Sequence, residues 1–249
     1  LKKYQTDTAI LTLGAADMDC LPQTFELLLW NMQKCRGEKW RADFLRLIRD
    51  RHLVLLQEAS LTAVNLEIFD QHEQYFWTMA RSFTHLKFNS ENGVKTGSRC
   101  APLATQSFAS PGFEPFVQTH KMLLQTCYPV KGTLHNLVVF NLHALNFSRI
   151  GGYKTHLSQM LRAAKSHHGP MILAGDFNTW SRQRYRHLRE IAAELGLTEA
   201  EINRKTKARH FYKHLDHLFY RGLILNEVNL MDDVNSSDHL PITASFSTI

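Results

Sequence analysis

Met171-Ile-Leu-Ala-Gly-Asp-Phe-Asn-Thr-Trp180 is the stretch on which the reading of this chain turns. Met171 to Ala174 is a short apolar run of the kind that forms a buried strand. Gly175 has no Cβ, so the backbone can turn there and come close to a ligand. Asp176 and Asn178 follow, two residues apart. In an extended segment residues i and i+2 point the same way, so a carboxylate and a carboxamide are aimed at one place. Open α/β sheets bind ligands at the carboxyl ends of strands. An Asp-x-Asn after a strand also makes a plain Asx-turn. What the other strands carry decides between the two.

The same design recurs outward from that strand. Glu26 to Trp30 is an apolar run with Asn31 at its end, and His52 to Leu56 is followed by Gln57-Glu58. Leu137 to Leu142 is a central strand ending in His143, Leu215 to Tyr220 holds Asp216, and Asp238-His239 precedes the run Ile242 to Phe246. Burying a carboxylate or imidazole is costly unless it is paired or metal-bound. Together these places point to one shared site; unrelated caps and turns are the alternative.

Between them, helical spacing predicts helices over Trp40 to Asp50, over Leu61 to Phe69, and after Gly151-Gly152 with Tyr153, Leu157, Met160, Leu161 and Ala164 on one face. Ser181 is placed to cap a further helix that Gly196 stops. Tyr75 to His85 reads as strand and residues 89–97 as loop. Residues 1–25 are expected to be an irregular N-terminal arm, and residues 26–249 a single domain. Strands outnumber helices, and several neighbours leave no room for a helix between them. That predicts an α/β protein with a mixed sheet, or two packed sheets with helices outside.

Hydrophobic residues make up 44% and charged residues 21% of the 249, an ordinary globular balance. The net charge of +6 favours an anionic partner. No apolar run approaches the roughly 20 residues that span a bilayer, so stable membrane insertion is not expected. Cys20, Cys35, Cys100 and Cys127 lack close paired spacing. That argues against a thiolate zinc site or a disulfide scaffold, and a reducing, cytoplasmic setting and a monomer are the expectation.

The residue types suit metal-assisted phosphoester hydrolysis. Magnesium prefers oxygen ligands and keeps several waters, so one or two carboxylates plus substrate phosphate suffice; manganese is an alternative. Glu58, with Asn31 and Asp238, is the candidate metal set. A histidine backed by a carboxylate is a competent acid or base near neutral pH, and His239 with Asp216 is the candidate pair. His143 is a second imidazole; a hydrogen-bonded core histidine is its plainer reading.

Leu56-Gln-Glu58, Asn141-Leu-His143, Gly175-Asp-Phe-Asn178, Leu215-Asp-His217 and Ser237-Asp-His239 resemble, in order, the motifs of the endonuclease/exonuclease/phosphatase superfamily, the deoxyribonuclease I-like fold. Leu53-Val-Leu-Leu-Gln-Glu-Ala59, His143-Ala-Leu-Asn-Phe-Ser148 and Phe219-Tyr-Arg-Gly222 resemble its YafD-like bacterial branch more closely. The resemblance implies a four-layer α/β/β/α sandwich with the site at one rim. It implies that Glu58 is the main metal ligand and Asn31 lies near that metal. Asp176 and Asn178 would orient nucleophile and phosphate, Asp216 would partner His239, and Asp238 would add a metal ligand. His143 would contribute an imidazole, supported in deoxyribonuclease I by an upstream glutamate for which Glu73 and Glu91 are poor equivalents. Asn146 and Arg149 fall where some members contact phosphate. In Gly93-Val-Lys-Thr-Gly-Ser-Arg99, Lys95 stands at a variable position of the family's pattern.

The substrate expectation is a phosphodiester, nucleic acid first. Arg182, Arg184, Arg186 and Arg189, then Arg204, Lys205, Lys207, Arg209 and Lys213, would neutralise phosphates, or else form a solvated face. Trp180, Tyr185 and Phe211 would stack on bases, or else belong to the core. A phospholipid or phosphoinositide substrate is the alternative; it calls for an exposed apolar loop beside the site, for which Pro111-Gly-Phe-Glu-Pro-Phe116 is the nearest stretch. A catalytically retired binding module is the third reading.

Overall fold

The computed structural model describes residues 1–70, 74–114, 118–203 and 215–249. In chain order these form β1 (Lys2–Lys3), β2 (Ile10–Leu13), β3 (Thr24–Asn31), α1 (Lys39–Ile48), β4 (Leu53–Leu61), α2 (Ala63–Asp70), β5 (Phe76–His85) and β6 (Ser90–Ser98). There follow β7 (Ala104–Ala109), β8 (Met122–Tyr128), β9 (Leu137–His143), α3 (Ile150–Ala164), β10 (Met171–Asp176), α4 (Arg182–Glu194), β11 (Thr198–Glu199), β12 (Asp216–Arg221), β13 (Leu223–Leu230) and β14 (Ile242–Thr248).

The strands make two sheets. One runs β1-β5-β6-β4-β3-β14-β13, with β2 also on β5; the other runs β11-β12-β10-β9-β8-β7. The pleat sorts the side chains into layers. Phe25, Leu27 and Leu29 of β3 meet Val139, Ile172, Ala174 and Leu218 of the other sheet in a central core. The alternate residues Leu28 and Trp30 face outward onto Trp40, Phe44 and Leu47 of α1 and Phe69 of α2. On the far side Phe140, Leu142 and Leu173 pack on Tyr153, Leu157 and Met160 of α3 and Leu188 and Ile191 of α4. The result is the four-layer α/β/β/α sandwich. Central strands covered on both faces read as unbroken apolar runs, which is why their sequences do not alternate.

Several expectations are corrected. The N-terminal residues are not an irregular arm, because Ile10–Leu13 pairs antiparallel with residues 77–80 of β5 and Lys2–Lys3 pairs with Thr84 and Phe83. Short apolar alternation over four residues was too little to reveal them. Residues 90–98 form β6 rather than a loop; Gly93 and Gly97 are needed because a Cβ would meet Ala80 O at 2.0 Å and the Trp77 ring at 2.4 Å. β4 does not end at Leu56 but continues to Leu61, through a register shift between Leu56 and Ala59. All four cysteines are free. Among the described residues no helix is long and apolar enough to cross a membrane.

Topology places the site. β3 and β4 run parallel, as do β9 and β10, so Asn31, Glu58, His143 and Asp176 all reach one rim at carboxyl ends or just before them. β12 and β14 run antiparallel to β10 and β3, with Asp216 opposite Asp176 and Ile242 opposite Leu29. They therefore reach the same rim with their amino ends. Asp216 begins its strand, and Asp238-His239 sits in the loop that enters β14.

Lys95 of β6 is fully buried, and its Nζ has no hydrogen-bond partner among the described residues. It lies 3.4 Å from the centre of the Phe69 ring and 5.9 Å from that of Trp77. Burial pushes its pKa down to about 7, against the opposite pull of Cys35, Asp70 and Glu91. An unfolded lysine titrates near 10.4, so protonation favours unfolding. The cost of burying Lys95 is absent above about pH 10, grows as pH drops toward about 7, and levels below that, at a loss on the order of 4 kcal/mol. Lys95→Met removes this dependence and raises stability at neutral pH. Urea midpoints measured from neutral to alkaline pH check it: a wild-type curve as flat as that of the variant contradicts the assignment.

Candidate active site

Asp176 is the centre of the rim. Gly175 precedes it at φ +148°, where a Cβ would lie 1.9 Å from Leu142 O. Only glycine lets β10 lie this close to β9. Asp176 Oδ1 accepts the Asn178 backbone N–H at 2.9 Å, with Asn178 at φ +50°. That is an Asx-turn, the plain reading of Asp-x-Asn, and the turn uses one carboxylate oxygen only: Oδ1 builds it and Oδ2 faces the cavity. Oδ2 accepts Asn31 Nδ2 at 3.0 Å and lies 3.4 Å from His143 Nε2 and 3.9 Å from His239 Nε2. Burial raises the proton affinity of Asp176 and Asp216 adds to this, while the His239 imidazole opposes it.

His239 donates from Nδ1 to Asp216 Oδ2 at 2.6 Å. Burial disfavours its charged form, but Asp216, Asp176 and Asp238 outweigh that and hold its pKa above the usual histidine range. Its loop is anchored to β3: Trp30 Nε1 donates to His239 O at 3.2 Å and Ser237 Oγ to Asn31 O at 2.7 Å. Glu58 sits at the β4 register shift with φ +49°, a left-handed conformation that turns its side chain to the rim. Its carboxylate makes no hydrogen bond among the described residues, and His143 Nε2 lies 4.0 Å from its Oε1.

A cavity of about 480 Å³ is lined by Asn31, Glu58, His143, Asn146, Phe147, Asp176, Asn178, Trp180, Leu215, Asp238 and His239. Asp216 stands behind His239. Of the residues expected from the sequence to act in catalysis, hold metal or contact phosphate through the family's motifs, Arg149 is absent from this grouping; it is exposed and forms the N-cap of α3. Asn31 is already engaged, since its Oδ1 also accepts the Gln33 N–H at 3.1 Å. It brackets the two sheets through Asp176 rather than standing free for a cation. Among the described residues no group of three His, Cys, Asp or Glu side chains forms a ready-made cation cage. The donors present still fit a hard divalent ion that keeps most of its waters: an unengaged Glu58 carboxylate and, lining the same cavity, Asp238, all-oxygen in character.

Three parts of the site were not visible in the sequence. Lys121 Nζ lies 3.5 Å from His143 Nδ1 and 3.7 Å from Glu114 Oε2, and Glu114 Oε1 accepts the Asn146 N–H at 2.9 Å. His143 is thus flanked by a lysine, where the resemblance suggested a glutamate. Burial drives its pKa far below the usual value, with Lys121 and His239 adding to the effect. Glu91 is committed elsewhere, to Arg81 and Tyr4, and Glu73 lies outside the described residues. Lys121 directly precedes β8, an antiparallel neighbour of β9, and reaches the rim by the strand-start rule that also brings Asp216.

Arg184 is the second. It is 1% exposed and does not face substrate phosphate. Nη1 donates to Leu145 O at 2.7 Å and Asn178 O at 3.1 Å, and Nη2 to Ser148 O at 2.8 Å. It ties the loop after β9 to the loop after β10. Arg182, Arg186 and Arg189 are exposed; the second basic run and Phe211 lie outside the described residues. The third part is a relay, in which Glu199 Oε1 holds His217 Nδ1 at 2.7 Å and His217 Nε2 holds Thr179 Oγ1 at 2.7 Å. Tyr185 stacks on His217 and donates to Glu199, so it is no free stacking surface.

Comparison with known proteins accords with this architecture. A UPF0294 protein of Yersinia enterocolitica is 35% identical over 235 residues, covering 91% of this chain and 85% of that protein. An endonuclease/exonuclease/phosphatase structure from Bacteroides vulgatus superposes with a TM-score of 0.69 at 14% identity, covering 91% of this chain and 99% of that one. One from Beutenbergia cavernae gives 0.67 at 18% identity, covering 90% and 72%. The endonuclease/exonuclease/phosphatase family model matches residues 28–239, nearly the whole span from β3 to the entry of β14. The chain belongs to the endonuclease/exonuclease/phosphatase family, whose members are mostly phosphoester hydrolases and generally need a divalent metal.

Proposed function

We propose that the protein is a magnesium-dependent phosphodiesterase that hydrolyses nucleic-acid phosphodiester bonds, with manganese as an alternative metal. The observation that carries this reading is that Glu58, Asp176 with Asn178, and His239, from three segments distant in sequence, line one cavity, with Asp216 bonded behind the histidine. Glu58 and Asp238 would hold the metal, with Asn31 beside them. The bound metal would polarise a phosphoryl oxygen and lower the pKa of a water. Asp176, buried and raised in proton affinity, takes a proton from the attacking water. Asn178 is fixed by the same turn, its Nδ2 donating to Ala144 O. His239, oriented by Asp216, presents Nε2 to charge that develops on the phosphoryl group. His143, neutral beside Lys121, offers its other nitrogen as a hydrogen-bond partner.

A phospholipid substrate is the second reading, favoured by one feature. The tip joining β5 to β6 exposes Leu86 (66%) and Phe88 (64%) at the same end of the sheet as Glu58. Phe113 of the stretch singled out in the sequence is 48% exposed, and Phe116 lies outside the described residues.

Purified protein with magnesium is expected to cleave single- or double-stranded DNA or RNA in preference to sphingomyelin or inositol phosphates. Glu58→Ala, Asp176→Ala and His239→Ala should each lower the rate roughly 10²- to 10⁴-fold while the unfolding transition remains cooperative. Hydrolysis that survives chelator, or all three substitutions, removes the assignment. Arg184→Lys cannot reach three carbonyls from one ammonium, and is expected to destabilise the fold by about 1–3 kcal/mol. It should also lower kcat, read from thermal unfolding and turnover on the same samples; an unchanged melting curve would show that the clamp is dispensable.

A further inference from the structure

Trp180 is the one indole at the surface. Trp30, Trp40 and Trp77 are at most 1% exposed, whereas Trp180 is 52% exposed and lines the catalytic cavity. Its ring is nevertheless fixed. One face lies on the Arg184 guanidinium, 4.5 Å from its carbon, and Arg184 in turn lies 4.4 Å from the centre of the Tyr153 ring. The Trp180 Nε1 donates to Asn146 O at 3.4 Å. Arg184 cannot swing away, because both terminal nitrogens are spent on carbonyl oxygens of the flanking loops. A stack of phenol, guanidinium and indole thus presents a rigid aromatic wall beside Asp176 and Asn178.

An indole is a large apolar surface whose exposure is unfavourable unless something covers it. Here it is held in place at the site of chemistry rather than packed away. Ordering it costs nothing further on binding, which is the condition under which a contact contributes most affinity. Every nucleobase has a flat face that stacks on such a ring, and stacking contributes about 1–3 kcal/mol per base. A base inside a duplex is already stacked on both sides, so only an unpaired one can use the wall. We infer that Trp180 is the stacking platform for an unpaired nucleobase next to the scissile phosphate, which makes single-stranded nucleic acid the preferred substrate class. This rests on the phosphodiesterase reading for its chemistry, though not for its binding contact.

The test has a binding arm and a turnover arm. The other three tryptophans are buried, so quenching of the exposed emission reports Trp180 alone. Adenosine monophosphate is expected to quench it saturably, ribose phosphate is not, and Trp180→Phe should lack the signal. In turnover, a single-stranded oligonucleotide should exceed its base-free (tetrahydrofuran) counterpart in kcat/KM by roughly ten- to a hundredfold. Trp180→Ala should reduce that ratio toward one, and Trp180→Phe should keep most of it. Equal quenching by both small phosphates, or an unchanged ratio in Trp180→Ala, overturns the inference while leaving the phosphodiesterase reading in place. Base-specific quenching without hydrolysis of any diester supports the contact and overturns that reading instead. A shift of the emission with anionic phospholipid vesicles but not with adenosine monophosphate overturns the inference in favour of a lipid surface.

Discussion

A carboxylate taken out of water must be surrounded by groups that replace the water. Asp176 is 2% exposed, and no single strand can supply those groups. One oxygen is satisfied by its own turn; the other needs Asn31 from the opposite sheet. The two sheets must therefore meet at this rim in one relative position. The histidines that face the same oxygen arrive from two further directions, His143 from β9 and His239 from the loop before β14. The apolar core tolerates small slips between layers, whereas hydrogen bonds of about 3 Å do not.

A second polar seam supports the first. Deep between the sheets, Gln57 Nε2 donates to Asn141 Oδ1 at 2.7 Å, and Asn141 Nδ2 reaches Lys95 O at 3.0 Å. Gln57 immediately precedes Glu58 at the register shift, and Asn141 lies two residues before His143. Buried amide networks of this sort specify one arrangement among several compact ones. The left-handed backbone of Glu58 carries a cost of order 1 kcal/mol, and the seam holds the residue before it in place. The site is therefore a product of packing between layers as much as of any one loop.

Much of this was legible in the amino-acid order, because parallel central strands carry their polar residues at the carboxyl end of an apolar run. Asn31, His143 and Asp176 are read that way. Glu58 was identified as a residue but not in its conformation, since a one-residue register shift leaves no hydrophobic period behind. Asp216 was recognised by motif, although its strand starts rather than ends at the rim. Lys121 was missed for the same reason: an antiparallel strand delivers the residue before it, and no apolar run precedes that residue. Arg184 was misread because a helix beginning with alternate arginines looks like a phosphate-binding face. Only burial shows that one of the four points inward onto carbonyl oxygens.

The relay from Glu199 through His217 to Thr179 starts on a short strand at the border of its sheet and finishes one residue from Trp180. Natural variation at that border would be felt at the wall of the cavity. A random-mutagenesis screen scored only by turnover would rank Glu199 with the reaction centre, although it lines a different hollow from the one that holds Asp176. Sorting such hits needs coordinates as well as rates, because two hydrogen bonds join the margin of this sheet to the residue before Trp180.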